Sequence, residues 1–209
     1  GKHADSCSPG AEGQRAAGPF ETQPLGPRCA GGIPGRPAFG LAHVWAGVVA
    51  GPAIQQIVVR TATEAVVALT ADSPVHPARE IRTDIATGSL LNARHVLVRT
   101  DEMDQSAFRA NTPDRCYICK KIIFKRLMAV AADLGIAHLA HGVNRDDFND
   151  YRPGLRAAAE MQVMAPLVDA GLSKADIRRL AKARGLPNWN RPAMACLASR
   201  IPYDTALSH

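Results

Sequence analysis

Residues 65–74 read Ala-Val-Val-Ala-Leu-Thr-Ala-Asp-Ser-Pro, and residues 94–99 read Arg-His-Val-Leu-Val-Arg. Within them, the runs around Val66 to Leu69 and His95 to Val98 are rich in valine and leucine and do not alternate with polar residues. That is the pattern of strands covered on both faces. Between the two runs, residues 77–90 read as a helix. After the second run comes a long helix at about 115–134, whose Ile118, Ile122, Leu127, Val130, Ala131 and Leu134 fall near one face and whose end is marked by Gly135. A strand at 137–142 follows. Upstream, the pattern gives strands at 43–50 and 65–70 with a helix at 53–62 between them. A further helix starts at Ser173, which forms an S-x-x-D capping box with Asp176, and closes at Gly185 and Pro187. Strands alternating with helices predict an α/β fold, a parallel sheet flanked by helices.

The chain has 209 residues, 46% hydrophobic and 21% charged, enough for one sizeable core or a core plus a tail. Residues 1–40 hold nine glycines and six prolines without periodicity, so they read as a disordered tail, and 41–209 as the folded domain. No apolar run reaches the roughly 20 residues of a membrane-spanning helix, and the start lacks the layout of a secretory signal. The expectation is a soluble, cytoplasmic protein without a membrane partner. Lysine and arginine number 25 against 19 acids, a formal charge of +6 that favours anionic ligands. Six basic residues against one acid lie between Lys174 and Arg191, read as a solvated helix face. Only 5% of residues are aromatic, which leaves few stacking platforms for single strands, so nucleic acid is not the expected partner.

Five cysteines, an odd number in a chain this long, argue against a disulfide scaffold and for reduced thiols or metal ligands. Cys7 and Cys29 lie in the tail without metal-ligand spacing. Arg115-Cys-Tyr-Ile-Cys119-Lys-Lys puts two thiols at the start of the long helix, beside unpaired backbone N–H groups and three basic residues, where both are expected to ionise easily. Such a pair suits a metal, an iron–sulfur cluster, disulfide exchange or plain structural packing. Cys196 follows in a proline-bracketed loop, Asn190 to Pro202, in which Ser199 and Arg200 can supply a hydroxyl and a phosphate-binding fork. Three thiolates with one open position suit a [4Fe–4S] cluster better than a four-cysteine zinc site. His141 to Gly154 follows a strand end, where open α/β sheets bind ligands; Gly142 allows close backbone approach, and Asp146, Asp147 and Asp150 could hold Mg²⁺. Thr70, Asp72 and Ser73 end another strand with side chains able to bond a ribose or base.

Together, Ala-Leu-Thr-Ala-Asp-Ser-Pro74, Asp-Arg-Cys-Tyr-Ile-Cys-Lys120, Gly-Val-Asn-Arg-Asp-Asp147, Asp-Tyr-Arg-Pro-Gly-Leu155 and Ala-Cys-Leu-Ala-Ser-Arg-Ile-Pro202 resemble, in order and spacing, the LarE family over about residues 41–208. These are ATP-dependent sacrificial sulfur transferases of the PP-loop ATP pyrophosphatase superfamily. The resemblance implies an adenine-nucleotide α-hydrolase-like domain that uses ATP and Mg²⁺. It also implies a small-molecule nucleotide substrate, a pyridinium dicarboxylate mononucleotide, in the synthesis of a nickel-pincer nucleotide. ATP adenylates a carboxylate, and sulfur then displaces AMP to leave a thiocarboxylate. In one branch the loop cysteine gives up its own sulfur; in another, three cysteines hold a [4Fe–4S] cluster. Cys116, Cys119 and Cys196 match the second branch as ligands, and Cys196, Ser199 and Arg200 match the sulfur and phosphate positions. Gly47, Val49, Thr70, Asp72, Ser73, Gly142, Asn144, Asp147 and Arg152 match the nucleotide-binding segments.

The chain departs from the family pattern in its phosphate loop, Ala46-Gly-Val-Val-Ala-Gly51 in place of Ser-Gly-Gly-Val-Asp-Ser, which removes two hydroxyls and a carboxylate. Val143 replaces a threonine, and Asp204 stands where glycine is usual. The family continues past the position of His209 into a region that helps build the sulfur-transfer site and the oligomer, so 41–209 reads as a truncated domain of a homo-oligomer. Two other readings stand beside the transferase. One is a nucleotide- or iron–sulfur-binding relic of the fold; the other is a PP-loop enzyme that thiolates tRNA or forms an amide.

Overall fold

The computed structural model describes residues 57–60, 66–192 and 194–208. The tail at 1–40 with Cys7 and Cys29, the strand at 43–50, and Gly47 and Val49 of the phosphate-loop segment lie outside the described residues. Strand β1 (Ile57–Arg60) is followed by β2 (Val66–Asp72), α1 (Ala78–Leu90) and β3 (Arg94–Arg99). After a 3-10 turn at Glu102–Asp104 come α2 (Ser106–Arg109) and the long α3 (Arg115–Asp133). A second 3-10 turn, Arg145–Asn149, leads to α4 (Pro153–Glu160), α5 (Pro166–Asp169) and α6 (Lys174–Ala183), and Leu197–Arg200 form a last 3-10 turn.

The sheet order is β1-β2-β3. β2 and β3 are parallel, with Val67 opposite Arg94 and Asp72 opposite Arg99, as α1 crossing between them requires. With helices packed on these strands, the fold is α/β. β1 corrects the helix expected over 53–62: Ile57-Val-Val-Arg60 pairs antiparallel with β2, Ile57 opposite Leu69 and Arg60 opposite Val66. Three consecutive β-branched residues lose little rotamer freedom in a strand and more in a helix. The strand expected at 137–142 is reduced to one parallel bridge between Ala140 and Met164. This segment pairs with 163–165, through Met164 N to Leu139 O at 2.8 Å and His141 N to Met164 O at 2.9 Å.

Val67 to Ala71 of β2 are buried on both faces as expected, whereas in β3 only Val98 is buried and Leu97 is 45% exposed. α3 serves two apolar clusters. Ile123, Phe124, Leu127 and Ala131 pack with Val67, Leu69, Ala71 and Val98. One turn earlier, Ile118 and Ile122 pack on a second cluster of Val75, Met103, Phe108, Ala198 and Leu207. Cys119 touches both clusters and so lies at their junction. Gly135, at φ +70°, ends the helix by letting Ile136 N reach Ala131 O at 2.8 Å. α6 begins with the expected reciprocal capping box between Ser173 and Asp176.

Candidate active site

The turn after β2, the turn after β3, the first turns of α3 and the Cys196 loop meet at one place. Leu197 N donates to Val75 O at 2.8 Å, which ties the loop to the end of β2. Arg115 Nη1 donates to Ala198 O at 2.8 Å and also to Asn111 Oδ1, and its guanidinium lies 5.1 Å from the centre of the Tyr203 ring. Asn111 is fully buried; its Nδ2 donates to Pro202 O at 2.7 Å and Thr205 O at 2.8 Å, and its carbonyl accepts from Asp204 N at 3.0 Å. These bonds hold residues 196–207 across the start of α3. Cys196 therefore packs on the same cluster as Cys119.

The two thiols of the C-x-x-C pair do not both ionise easily. Desolvation pushes the Cys119 thiol up to about 12, and the positive charge of Lys120 only partly opposes it. The basic residues expected to favour thiolate have other tasks: Arg115 holds the loop, and Lys121 pairs with Glu160 at 3.1 Å. Lys120 is the cation of this site. Burial pulls its ammonium below the usual lysine range, against the pull of Cys119, Cys116, Cys196 and Glu102. Its stem runs over Gly154, where an added Cβ would stand 2.8 Å from Lys120 Cγ, so α4 can approach α3 closely only with glycine there. His76 and His141 are both held down at about 4, first by burial and then by the charge of Lys120. Glu102 is fully buried, and neither carboxylate oxygen has a hydrogen-bond partner among the described residues.

Glu102, His76 and Asn111 escaped the sequence reading. Glu102 lies just past the carboxyl end of β3, so the rule that led to Thr70–Ser73 and His141–Gly154 would have found it too. His141 fell inside a quoted segment without being singled out.

The expected nucleotide-binding side chains are differently disposed. The Thr70 hydroxyl is fully buried and bonded to His95 Nε2 at 2.9 Å. Ser73 is buried with its Oγ accepting from Val75 N at 3.3 Å, whereas Asp72 is exposed. Asn144, Asp147 and Arg152 do come together, bonded to one another: Asp147 Oδ2 accepts from Asn144 N at 2.9 Å and Nδ2 at 2.7 Å, and its Oδ1 lies 3.0 Å from Arg152 Nη1. Asp146 accepts from Lys174 N at 2.9 Å, and Asp150 pairs with Arg152 at 3.3 Å. Among the described residues no group of three or more His, Cys, Asp or Glu side chains is arranged to hold a metal ion. Gly142 is half-buried between His141 and Val143, and the buried Val143 is the apolar replacement noted in the sequence. Ser199 Oγ donates back to Cys196 O at 2.6 Å, which shapes the turn, and exposed Arg200 has no hydrogen-bond or ion-pair partner among the described residues. No helix among the described residues is long and apolar enough to cross a membrane.

No family model matches the chain. It is 39% identical over 142 residues to an uncharacterized protein of Synechocystis sp., a match covering 68% of this chain and 53% of that protein. It is 36% identical over 144 residues to the pyridinium-3,5-bisthiocarboxylic acid mononucleotide synthase of Lactiplantibacillus plantarum, covering 69% of this chain and 52% of the synthase. An uncharacterized protein of Methanocaldococcus jannaschii is 31% identical over 121 residues, 57% of this chain and 47% of that protein. The chain thus spans about half the length of the curated relatives it matches.

Proposed function

We propose, starting from the chain's membership of the LarE family, that it acts as an ATP-dependent sulfur transferase on a pyridinium dicarboxylate mononucleotide. A carboxylate is a poor electrophile because its leaving group would be oxide. Attack of its oxygen on the α-phosphorus of ATP, with Mg²⁺ balancing the phosphate charge, releases pyrophosphate and leaves an acyl adenylate. The Cys196 thiolate then attacks the acyl carbon and the carbon–oxygen bond to AMP breaks, leaving a thioester; a base takes the Cys196 Cα proton, the Cβ–Sγ bond breaks, and the thiocarboxylate departs while residue 196 is left as dehydroalanine. The observation that carries this reading is the fastening of the Cys196 loop across the start of α3 by Arg115 and Asn111, which sets a thiol beside Lys120. Lys120 offers positive charge to the anions that gather there, and exposed Arg200, on the turn that Ser199 shapes, lies on the same loop to receive the substrate's phosphate.

The [4Fe–4S] cluster that the resemblance implies draws on Cys116, Cys119 and Cys196, and the three thiols are the right donors for it. Their arrangement is not: no group of three such side chains placed to hold a metal forms among the described residues, so the cysteines as arranged do not fit the cluster.

The test separates the two half-reactions. In the Cys196→Ser chain, pyrophosphate release that depends on the dicarboxylate nucleotide continues at a rate within a few-fold of the parent, while thiocarboxylate formation stops. Thiocarboxylate formed without Cys196 would remove the residue from its role.

A further inference from the structure

Beside the Cys196 loop, α1 and residues 187–191 form a groove of about 400 Å³ lined by Arg79, Arg82, Thr83, Thr87, Asn188 and Arg191. The polar groups of its floor are bonded to one another. Arg191 reaches Glu80 Oε1 at 2.6 Å and Thr83 Oγ1 at 2.5 Å, Thr87 Oγ1 donates to Thr83 O at 2.7 Å, and Asn188 Nδ2 donates to Thr87 Oγ1 at 3.4 Å. Glu80, almost wholly buried, is the one carboxylate these guanidinium groups share: Arg79 Nε lies 3.5 Å from the same oxygen. Arg79 and Arg191 share this carboxylate, so the three guanidinium groups of the lining give the groove an excess of positive charge. Arg82 has neither a hydrogen bond nor an ion pair among the described residues. Arg79 extends on to Met194 Sδ at 3.2 Å, two residues before Cys196.

We propose that this groove binds the phosphate group of a small phosphorylated ligand. A phosphoryl dianion matches the excess charge and accepts the paired N–H donors of a planar guanidinium, which a lysine cluster or a neutral hydroxyl floor would not offer. The floor is already hydrogen-bonded, so it does not have to be reorganised, and Arg82 and the outer face of Arg79 are the groups left to close on the ligand. The proposal stands on the groove alone and survives a failure of the sulfur-transfer reading. Two sources share this chemistry, the phosphate of a nucleotide and free phosphate or pyrophosphate.

The experiment titrates inorganic phosphate into the full chain, followed by calorimetry and ³¹P line width, for the parent and for Arg82→Ala, Arg82→Glu and, as an exposed arginine away from the groove, Arg126→Ala, each checked for an unchanged melting curve. The expected result is saturable binding that weakens about tenfold in Arg82→Ala, further in Arg82→Glu, and little in Arg126→Ala. Competition with AMP identifies the source. AMP displacing phosphate at a much lower concentration, with the same loss in Arg82→Glu, assigns the groove to a nucleotide's phosphate; equal competition assigns it to free phosphate or pyrophosphate. No saturable binding below ~10 mM, or binding that survives Arg82→Glu, overturns the proposal.

Discussion

Asp204 is a single residue whose oddity in the sequence acquires a physical reason in the fold. It stands at φ +63°, in the left-handed region where glycine is easy and a side chain is not, and its N–H must reach Asn111 O at 3.0 Å to keep the Cys196 loop closed. The aspartate is tolerated there because short polar side chains accept this conformation better than most. Asp204→Gly is expected to raise stability by up to about 1 kcal/mol in urea unfolding, since relief of strain outweighs the greater freedom of the unfolded chain. A loss of stability would show that the Asp204 side chain contributes to the loop. At this scale the sequence was informative about residue types and less so about their state. That Cys119 and Cys196 come together was legible from the motifs that carry them. That burial pushes the Cys119 thiol up was not, because ionisation depends on what α3 packs against rather than on the charges written next to it. Nor was Thr70, whose hydroxyl is turned inward to His95.

Among elements, what was legible follows from how strongly local pattern decides. α3 and α6 stand where the periodicity and caps put them, since an amphipathic stripe with a capping box or terminal glycine carries its own boundaries, and α1 fills the expected 77–90. On α3 the expected stripe was partly displaced: Ile123 and Phe124 form the seam with the sheet, while Ile118 and Ile122 turn to the second cluster that holds the Cys196 loop. One helix serving two cores blurs a single-face reading. Strands depend on partners far along the chain, which a local window does not contain. This is why 137–142 keeps only the bridge at Ala140 and why β1 emerged from an expected helix. β3 keeps one open face where burial on both was expected.

For the molecule as a whole, the buried imidazoles His76 and His141 couple the site to folding. Each is held at about 4 in the folded chain, against an ordinary value of 6.5, mainly by burial and next by the charge of Lys120. The unfolded chain therefore binds protons between pH 6.5 and 4 that the folded chain refuses, and stability present above pH 6.5 drains away as the pH falls through that window. The loss amounts to at most about 3 kcal/mol for each imidazole. Urea midpoints measured at neutral pH and near the lower end of the window check this: they fall in the parent and fall less in a His76→Gln, His141→Gln chain. Equal pH dependence in the two chains would place these imidazoles in a more open setting than the fold gives them. The α/β class was legible at this scale, and so was a candidate segment just past the carboxyl end of β2, because topology constrains where such sheets open; the turn after β3 was not read. The buried carboxylate of Glu102, a consequence of tertiary packing, was not.

The central claim is that this chain makes a thiocarboxylate by way of an acyl adenylate. Its most direct measurement is a single-turnover reaction of the full chain with ATP, Mg²⁺ and the pyridinium dicarboxylate mononucleotide, analysed by mass spectrometry for the nucleotide and by an enzyme-coupled assay for pyrophosphate. The account requires pyrophosphate release only when the dicarboxylate is present, and a nucleotide in which one carboxylate oxygen has become sulfur. ATP left intact in the presence of that substrate, or pyrophosphate released with no sulfur incorporated, would contradict it.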